Sequence, residues 1–120
     1  MKTLILISTL VTATIYHAVP GQTDDTPFIT ASNKRINKEN PQGHRWIAVS
    51  RDLEKLGFTL GTKVCVEGAG EMDGDWTIED RMNKRWTNKI DFLVNQDIKG
   101  GKWEDVKIYL LDENGMKIIK

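Results

Sequence analysis

Apolar and polar residues alternate with a period of two along most of this chain, in runs short enough to be strands. Residues 12–16 read Thr-Ala-Thr-Ile-Tyr. In 44–50, Ile47 and Val49 fall on one face while Trp46 and Ala48 fall on the other. Val64 and Val66 point inward from 62–67, against Lys63, Cys65 and Glu67. Trp76 and Ile78 share a face of 75–80, and 88–94 carries Ile90-Asp91-Phe92. Val106, Ile108 and Leu110 alternate with Lys107, Tyr109 and Leu111 in a last long strand. Turn residues separate the runs: Gly68-Ala69-Gly70, Asp73-Gly74 and Gly100-Gly101. The pattern predicts about six short strands. Helical signals are few: Ser50 as N-cap of a short helix over 51–56 ended by Gly57, and one turn within 81–88. Six such strands predict an all-β fold, a small closed barrel, because closure removes exposed edges.

The ends and the long connection are less regular. Residues 1–11 carry Lys2 and then Leu4-Ile5-Leu6-Ile7, with Val11-Thr12-Ala13 as a small-residue cleavage site. That resembles a secretion signal, and the same residues also suit a first strand. The apolar run is too short to cross a membrane as a helix, so no transmembrane segment is expected. Export would place the protein in the periplasm or cell envelope, with any cut before or near Thr12. Residues 17–40 are polar and broken by Pro20-Gly21, Asp24-Asp25 and Thr26-Pro27, with Phe28-Ile29-Thr30-Ala31-Ser32 as a short extended piece. So long a loop in a small domain is often functional. Glu113-Asn114-Gly115 turns 112–120 into a small hairpin or a fraying tail.

Composition narrows the classes. A chain of 120 residues, 39% hydrophobic and 28% charged, makes one globular domain. Lys+Arg and Asp+Glu both number 17, so the net charge is zero and the broad basic face of a nucleic-acid binder is missing. Only a local basic cluster remains, at Arg81, Lys84, Arg85 and Lys89. Cys65 is the single cysteine, which excludes an internal disulfide and a cysteine-rich zinc site. No histidine lies near it in sequence to activate it as a nucleophile. His17 and His44 are far apart, and no Gly-Lys-Ser/Thr follows the glycines of 68–74, so neither metal nor cofactor is expected.

Two aspartates stand out. Asp80 and Asp91 lie at or inside strands, where aspartate is disfavoured because its side chain competes for backbone hydrogen bonds. Each is either paired structurally or placed for chemistry. As structural residues, Asp80 would cap a turn at Asn83 and Asp91 would pair with Arg85.

Six segments carry a family resemblance in order: Thr12-Ala13-Thr14-Ile15-Tyr16, Thr30-Ala31-Ser32, Ile47-Ala48-Val49-Ser50, Leu60-Gly61-Thr62-Lys63-Val64, Ile78-Glu79-Asp80 and Asn88-Lys89-Ile90-Asp91-Phe92. Together they resemble the three-aspartate (3D) domain. That domain groups with the double-psi β-barrels of membrane-bound lytic transglycosylase A, rare lipoprotein A and Sps-type proteins, and more distantly with expansins. The resemblance covers 12–111. It implies a six-stranded double-psi barrel with one or two short helical turns, and a groove for peptidoglycan or related glycan strands. The family's second and third aspartates fall on Asp80 and Asp91. The first falls on Ser50, with Asp52 two residues on as its substitute. Arg81-Met82-Asn83 also replaces the Thr-Gly-Gly run of the transglycosylases, and there is no room for their second domain.

The resemblance implies glycan cleavage by an aspartic acid that keeps a proton near neutral pH, which burial or a neighbouring carboxylate permits. Asp91, flanked by Ile90 and Phe92, is the expected general acid/base, Asp80 its modulator and Asp52 a third member. Tyr16, Thr30 and Trp86 are expected to contact sugar. Two alternatives stand beside this: a non-catalytic wall-binding module, and a structural barrel in an envelope or phage assembly with an apolar interface around Trp46, Trp103 and Tyr109.

Overall fold

The structure is a computed structural model that describes residues 6–18 and 28–119. The breakers at Pro20-Gly21, Asp24-Asp25 and Thr26-Pro27, and the start of the signal-like run at Leu4-Ile5, lie outside the described residues. Six strands form: β1 (Ser8–Tyr16), β2 (Trp46–Val49), β3 (Lys63–Glu67), β4 (Gly74–Arg81), β5 (Lys89–Leu93) and β6 (Lys102–Leu111). They close into a barrel in the order β1-β5-β2-β4-β3-β6. The pairs β1/β5 and β2/β4 are parallel and the rest antiparallel. The pairing has an internal symmetry. Exchanging each strand of β1–β3 with the strand three places later maps every pair onto one of the same sense.

The alternation in the sequence becomes the barrel interior. Val11, Ala13, Ile47, Val49, Val64, Val66, Trp76, Ile78, Ile90, Phe92, Val106 and Ile108 are buried in one cluster. Trp76 and Phe92 meet at 4.8 Å between ring centroids, and the Trp76 indole donates to the Met72 carbonyl at 2.7 Å, so its polar edge is satisfied. The opposite faces of β1, β2 and β5 build a second, smaller apolar cluster outside the barrel. There Tyr16, Ile36, Ala48, Met82 and Leu93 are buried with Phe28 and Trp46 against them.

Helical structure among the described residues is limited to three 3-10 turns, Pro41–His44, Arg51–Leu56 and Gly70–Met72. The segment after Ser50 has Ser50 at its N-cap position and ends at Gly57 with φ of 104°, yet the Ser50 side chain makes no capping bond. Its hydroxyl instead accepts the Lys89 N–H at 2.9 Å, fastening the end of β2 to the start of β5. The piece at 28–32 is not an extended strand. Ile29 bridges Arg35, Asn33 N–H donates to the Thr30 carbonyl at 2.9 Å, and Asn33 has φ of 68°, which closes a tight turn. This 28–36 loop straps the outer cluster. The C-terminal turn forms as Leu111 bridges Lys117 and Gly115 N–H donates to the Asp112 carbonyl.

The three aromatics expected at an apolar interface are half-buried, each against its own neighbour. His44 stacks on Trp46 at 3.8 Å, Trp103 packs edge-on against Phe92 at 5.8 Å, and Lys117 lies over Tyr109 at 3.9 Å. No helix among the described residues is long and apolar enough to cross a membrane.

Candidate functional site

The site is set by one irregularity in register. Ile47 pairs with Ile78 across the parallel β2/β4 ladder, but Ala48 pairs with Asp80. Glu79 is therefore an extra residue in β4. Strict alternation from Trp76 and Ile78 would send Asp80 into the barrel; the shift turns it outward, as inserted residues re-aim side chains. On the other side of β2, Ala48 pairs with Asp91 of β5, and Asp91 pairs with Thr14 of β1. The outer face thus carries a row, Thr14–Asp91–Ala48–Asp80, running across four adjacent strands. Neighbouring strands lie about 4.8 Å apart, so the two aspartates start roughly 10 Å apart at Cα, on the same side, with only a methyl group between them.

Each carboxylate is held by specific donors. The Thr14 hydroxyl donates to Asp91 Oδ1. Asp80 Oδ1 accepts the Ala31 N–H at 3.1 Å and the Arg81 N–H at 3.0 Å, tying β4 to the 28–36 loop. Asp91 is half-buried, and burial raises its carboxyl above the usual aspartate range; the Thr14 hydrogen bond and the Lys89 charge pull the other way without cancelling it. Tyr16 stands two residues beyond Thr14 on the same face and is 7% exposed. Burial, then the charges of Asp80 and Asp91, hold its phenol well above the ordinary range. Its hydrogen bond to the Asp80 carboxylate adds to that rise, so the phenol and Asp80 act as neighbours in one site.

Tyr16, Asp80, Asp91 and Trp86 line one open pocket of about 420 Å³, whose rim includes Arg51 and Arg85. That volume falls in the range of small-molecule sites. Trp86 is 36% exposed, with Lys89 4.1 Å and Arg85 4.9 Å from its ring centroid. Arg85 is thus engaged with Trp86 and not with Asp91, while Asp80 accepts from the Ala31 and Arg81 N–H groups.

Two expected site residues lie elsewhere. Both Asp52 oxygens accept the Asn88 N–H, at 3.2 and 3.0 Å, on the exposed 3-10 turn, so the carboxylate holds the loop before β5 outside the pocket. Thr30 is buried; its hydroxyl bonds Ser32 at 2.8 Å and accepts the Lys34 N–H at 3.0 Å, which spends it inside the loop. Its neighbour Ile29 reaches the pocket. Sequence reasoning missed Thr14 and Arg51. Thr14 could have been found from the strand period, which puts it on the face of Tyr16. Arg51 gave no signal, because it enters only through the fold.

Among the described residues, no group of three or more His, Cys, Asp or Glu side chains is placed to hold a metal ion. Burial and the nearby Asp75 and Glu67 raise the Cys65 thiol, keeping it protonated. Set against known families, curated proteins and solved structures, the chain has no match.

Proposed function

We propose that this pocket binds a glycan strand and that Asp91 cleaves it as a general acid/base. The observation that carries this is Asp91 itself: an outward-facing carboxyl raised by burial, with Oδ1 fixed by Thr14 and a second carboxylate across Ala48. Asp91 protonates the glycosidic oxygen. It then takes the proton of the sugar's own 6-hydroxyl as that oxygen attacks C1, which leaves a 1,6-anhydro end and needs one acid/base group. Burial keeps the proton on Asp91, Asp80 and Tyr16 hold substrate from the same pocket, and Trp86 stacks on a sugar face.

We also infer that the barrel is of the double-psi kind, on the support of the three-strand exchange symmetry and the two parallel pairs. Peptidoglycan is then the natural strand, and the cell envelope or a phage particle the place of action. Incubation with purified peptidoglycan is expected to yield anhydro-ended fragments by mass spectrometry, and Asp91→Asn to yield about a hundredfold fewer or less. Unchanged sacculi beside an active control enzyme would defeat the catalytic role.

A non-catalytic wall-binding module is the second reading. It is favoured by Ser50, which stands where the family has its first aspartate and serves a backbone N–H, while Asp52 faces away from the pocket. Sedimentation with insoluble peptidoglycan, lost in Trp86→Ala, together with no fragment release, would select it.

A further inference from the structure

We propose that the turn Arg51–Leu56 and the loop 81–89 form one basic face that seats the folded domain on an anionic lipid surface. The face stands apart from the glycan reading, because Lys55, Leu56, Lys84 and Lys89 lie outside the lining of the pocket.

Three contacts join the two segments. Arg81 Nε and Nη2 donate to the two oxygens of Glu54 at 2.8 and 2.7 Å. Arg51 Nε donates to the Met82 carbonyl at 3.2 Å, and the Asn88 N–H donates to Asp52 at 3.0 Å. The joined segments carry six cations, Arg51, Lys55, Arg81, Lys84, Arg85 and Lys89, against two carboxylates, Asp52 and Glu54, in a chain whose net charge is zero. Both carboxylates are engaged within the face, and of the six cations only Arg81 makes an ion pair among the described residues. The same segments carry two large hydrophobic side chains that stay exposed, Leu56 at 51% and Trp86 at 36%. Lys89 and Arg85 flank the Trp86 ring, 4.1 and 4.9 Å from its centroid.

The apolar pair decides between anionic partners. A leucine gains nothing from a nucleic acid or an acidic polymer, but it gains from entering the acyl boundary of a bilayer. An indole among cations suits the headgroup level, where the ring meets acyl chains and the charges meet phosphates. Each Lys or Arg brought near an anionic bilayer strengthens adsorption roughly fivefold.

The test is flotation of the full chain with vesicles of phosphatidylcholine mixed with phosphatidylglycerol, against vesicles of phosphatidylcholine alone. Binding is expected with the mixed vesicles only, and it should weaken as salt is raised. Lys55→Gln with Lys84→Gln should weaken it roughly twentyfold, the effect of two charges. Lys63→Gln with Lys107→Gln, at two exposed lysines on β3 and β6, should leave it unchanged. Leu56→Ser should weaken vesicle binding severalfold and leave binding of a short DNA duplex as it was. Equal recovery of the wild-type protein with both kinds of vesicle, or with neither, overturns the inference. So does equal weakening by the two lysine pairs, since bulk charge and not this face would then be at work. Vesicle binding untouched by Leu56→Ser would make the face a polyanion site and overturns it as well. None of these outcomes bears on the glycan reading, whose own test is fragment release.

Discussion

Asp80 and Asp91 are both register partners of Ala48, one on each side of it, so the separation of the two carboxylates depends on how small that residue is. Ala48 is 4% exposed and lies on the pocket floor. Ala48→Leu is expected to push a branched side chain between the carboxylates, costing about 1–3 kcal/mol of stability through overpacking. Glycan turnover should fall far more than the folded fraction. Ala48→Ser should leave both nearly unchanged. Urea midpoints and fragment yields, compared for the two variants, check this.

Asp91 ties stability to pH with a definite sign. Its folded carboxyl holds the proton more tightly than the unfolded chain does. Its contribution is therefore full below the ordinary aspartate range and is lost as pH rises through its raised folded value. Asp91→Asn removes that slope. The variant is expected to match or exceed wild-type stability at neutral pH while glycan release falls about a hundredfold or more. Urea titrations across about pH 3 to 8 read the first, and turnover reads the second. A variant destabilised most at neutral pH would contradict the assignment.

Thr14 acts through Asp91 and is a positioning residue. Its hydrogen bond lowers the Asp91 carboxyl against the effect of burial. Thr14→Val should raise that carboxyl further and carry the alkaline limb of the activity profile to higher pH. The loss of stability should be about 0.5–1.5 kcal/mol. Thr14→Ser should restore the wild-type profile. A uniform drop in activity at every pH would mean that Thr14 only supports packing.

The barrel interior was legible because period-two patterning is local. Ile47 with Val49, Val64 with Val66, and Val106 with Ile108 all enter the core as the alternation requires. Asp91 was legible for the same reason: between inward Ile90 and Phe92 it must face out. Asp80 was not. Alternation from Trp76 and Ile78 points it inward, and the extra residue that reverses it exists only relative to β2, a strand far away in sequence. The partners of the Ser50 hydroxyl and of Asp52 were not legible, because a strand end and a neighbouring loop compete for the same polar side chains. The strand order could not be read at all, since both parallel pairs join distant segments.

The extra residue in β4 should also be costly to disturb. Glu79 is 2% exposed, pairs with Lys34 at 3.1 Å, and has one oxygen without a partner. Lys34 itself is 56% exposed. Lys34→Ala strands a buried carboxylate and is expected to cost about 1–3 kcal/mol. Glu79→Gln should cost less, because the freed ammonium returns to water. Adding Glu79→Gln to Lys34→Ala should therefore recover stability, which a double-mutant cycle in urea measures. If the two losses simply add, the pair is not what fastens the 28–36 loop.

The signal-like start and the first strand use the same residues, and the barrel decides what can be removed. Ser8, Thr9, Leu10 and Val11 pair with Tyr109, Ile108, Lys107 and Val106 of β6, and Val11 is 2% exposed in the core. A chain starting at Thr12 keeps the parallel pairing with β5 but loses these four partners. Only Ala13 with Trp103 and Thr14 with Lys102 would then join β1 to β6, leaving most of that β6 edge unpaired. It is expected to unfold without cooperativity and to aggregate. Leu6 and Ile7 pair with the C-terminal turn and the end of β6: Ile7 N–H donates to the Ile118 carbonyl at 3.1 Å, and the Ile7 carbonyl accepts the Leu110 N–H at 2.9 Å. A chain starting at Ser8 should therefore keep every β1–β6 register pair and lose the docking of that tail with one hydrogen bond at the end of β6. Melting curves of the two truncations separate the cases. If the chain from Thr12 melts as sharply as the chain from Ser8, the β1–β6 seam contributes little and a cut at Val11 would be compatible with the fold.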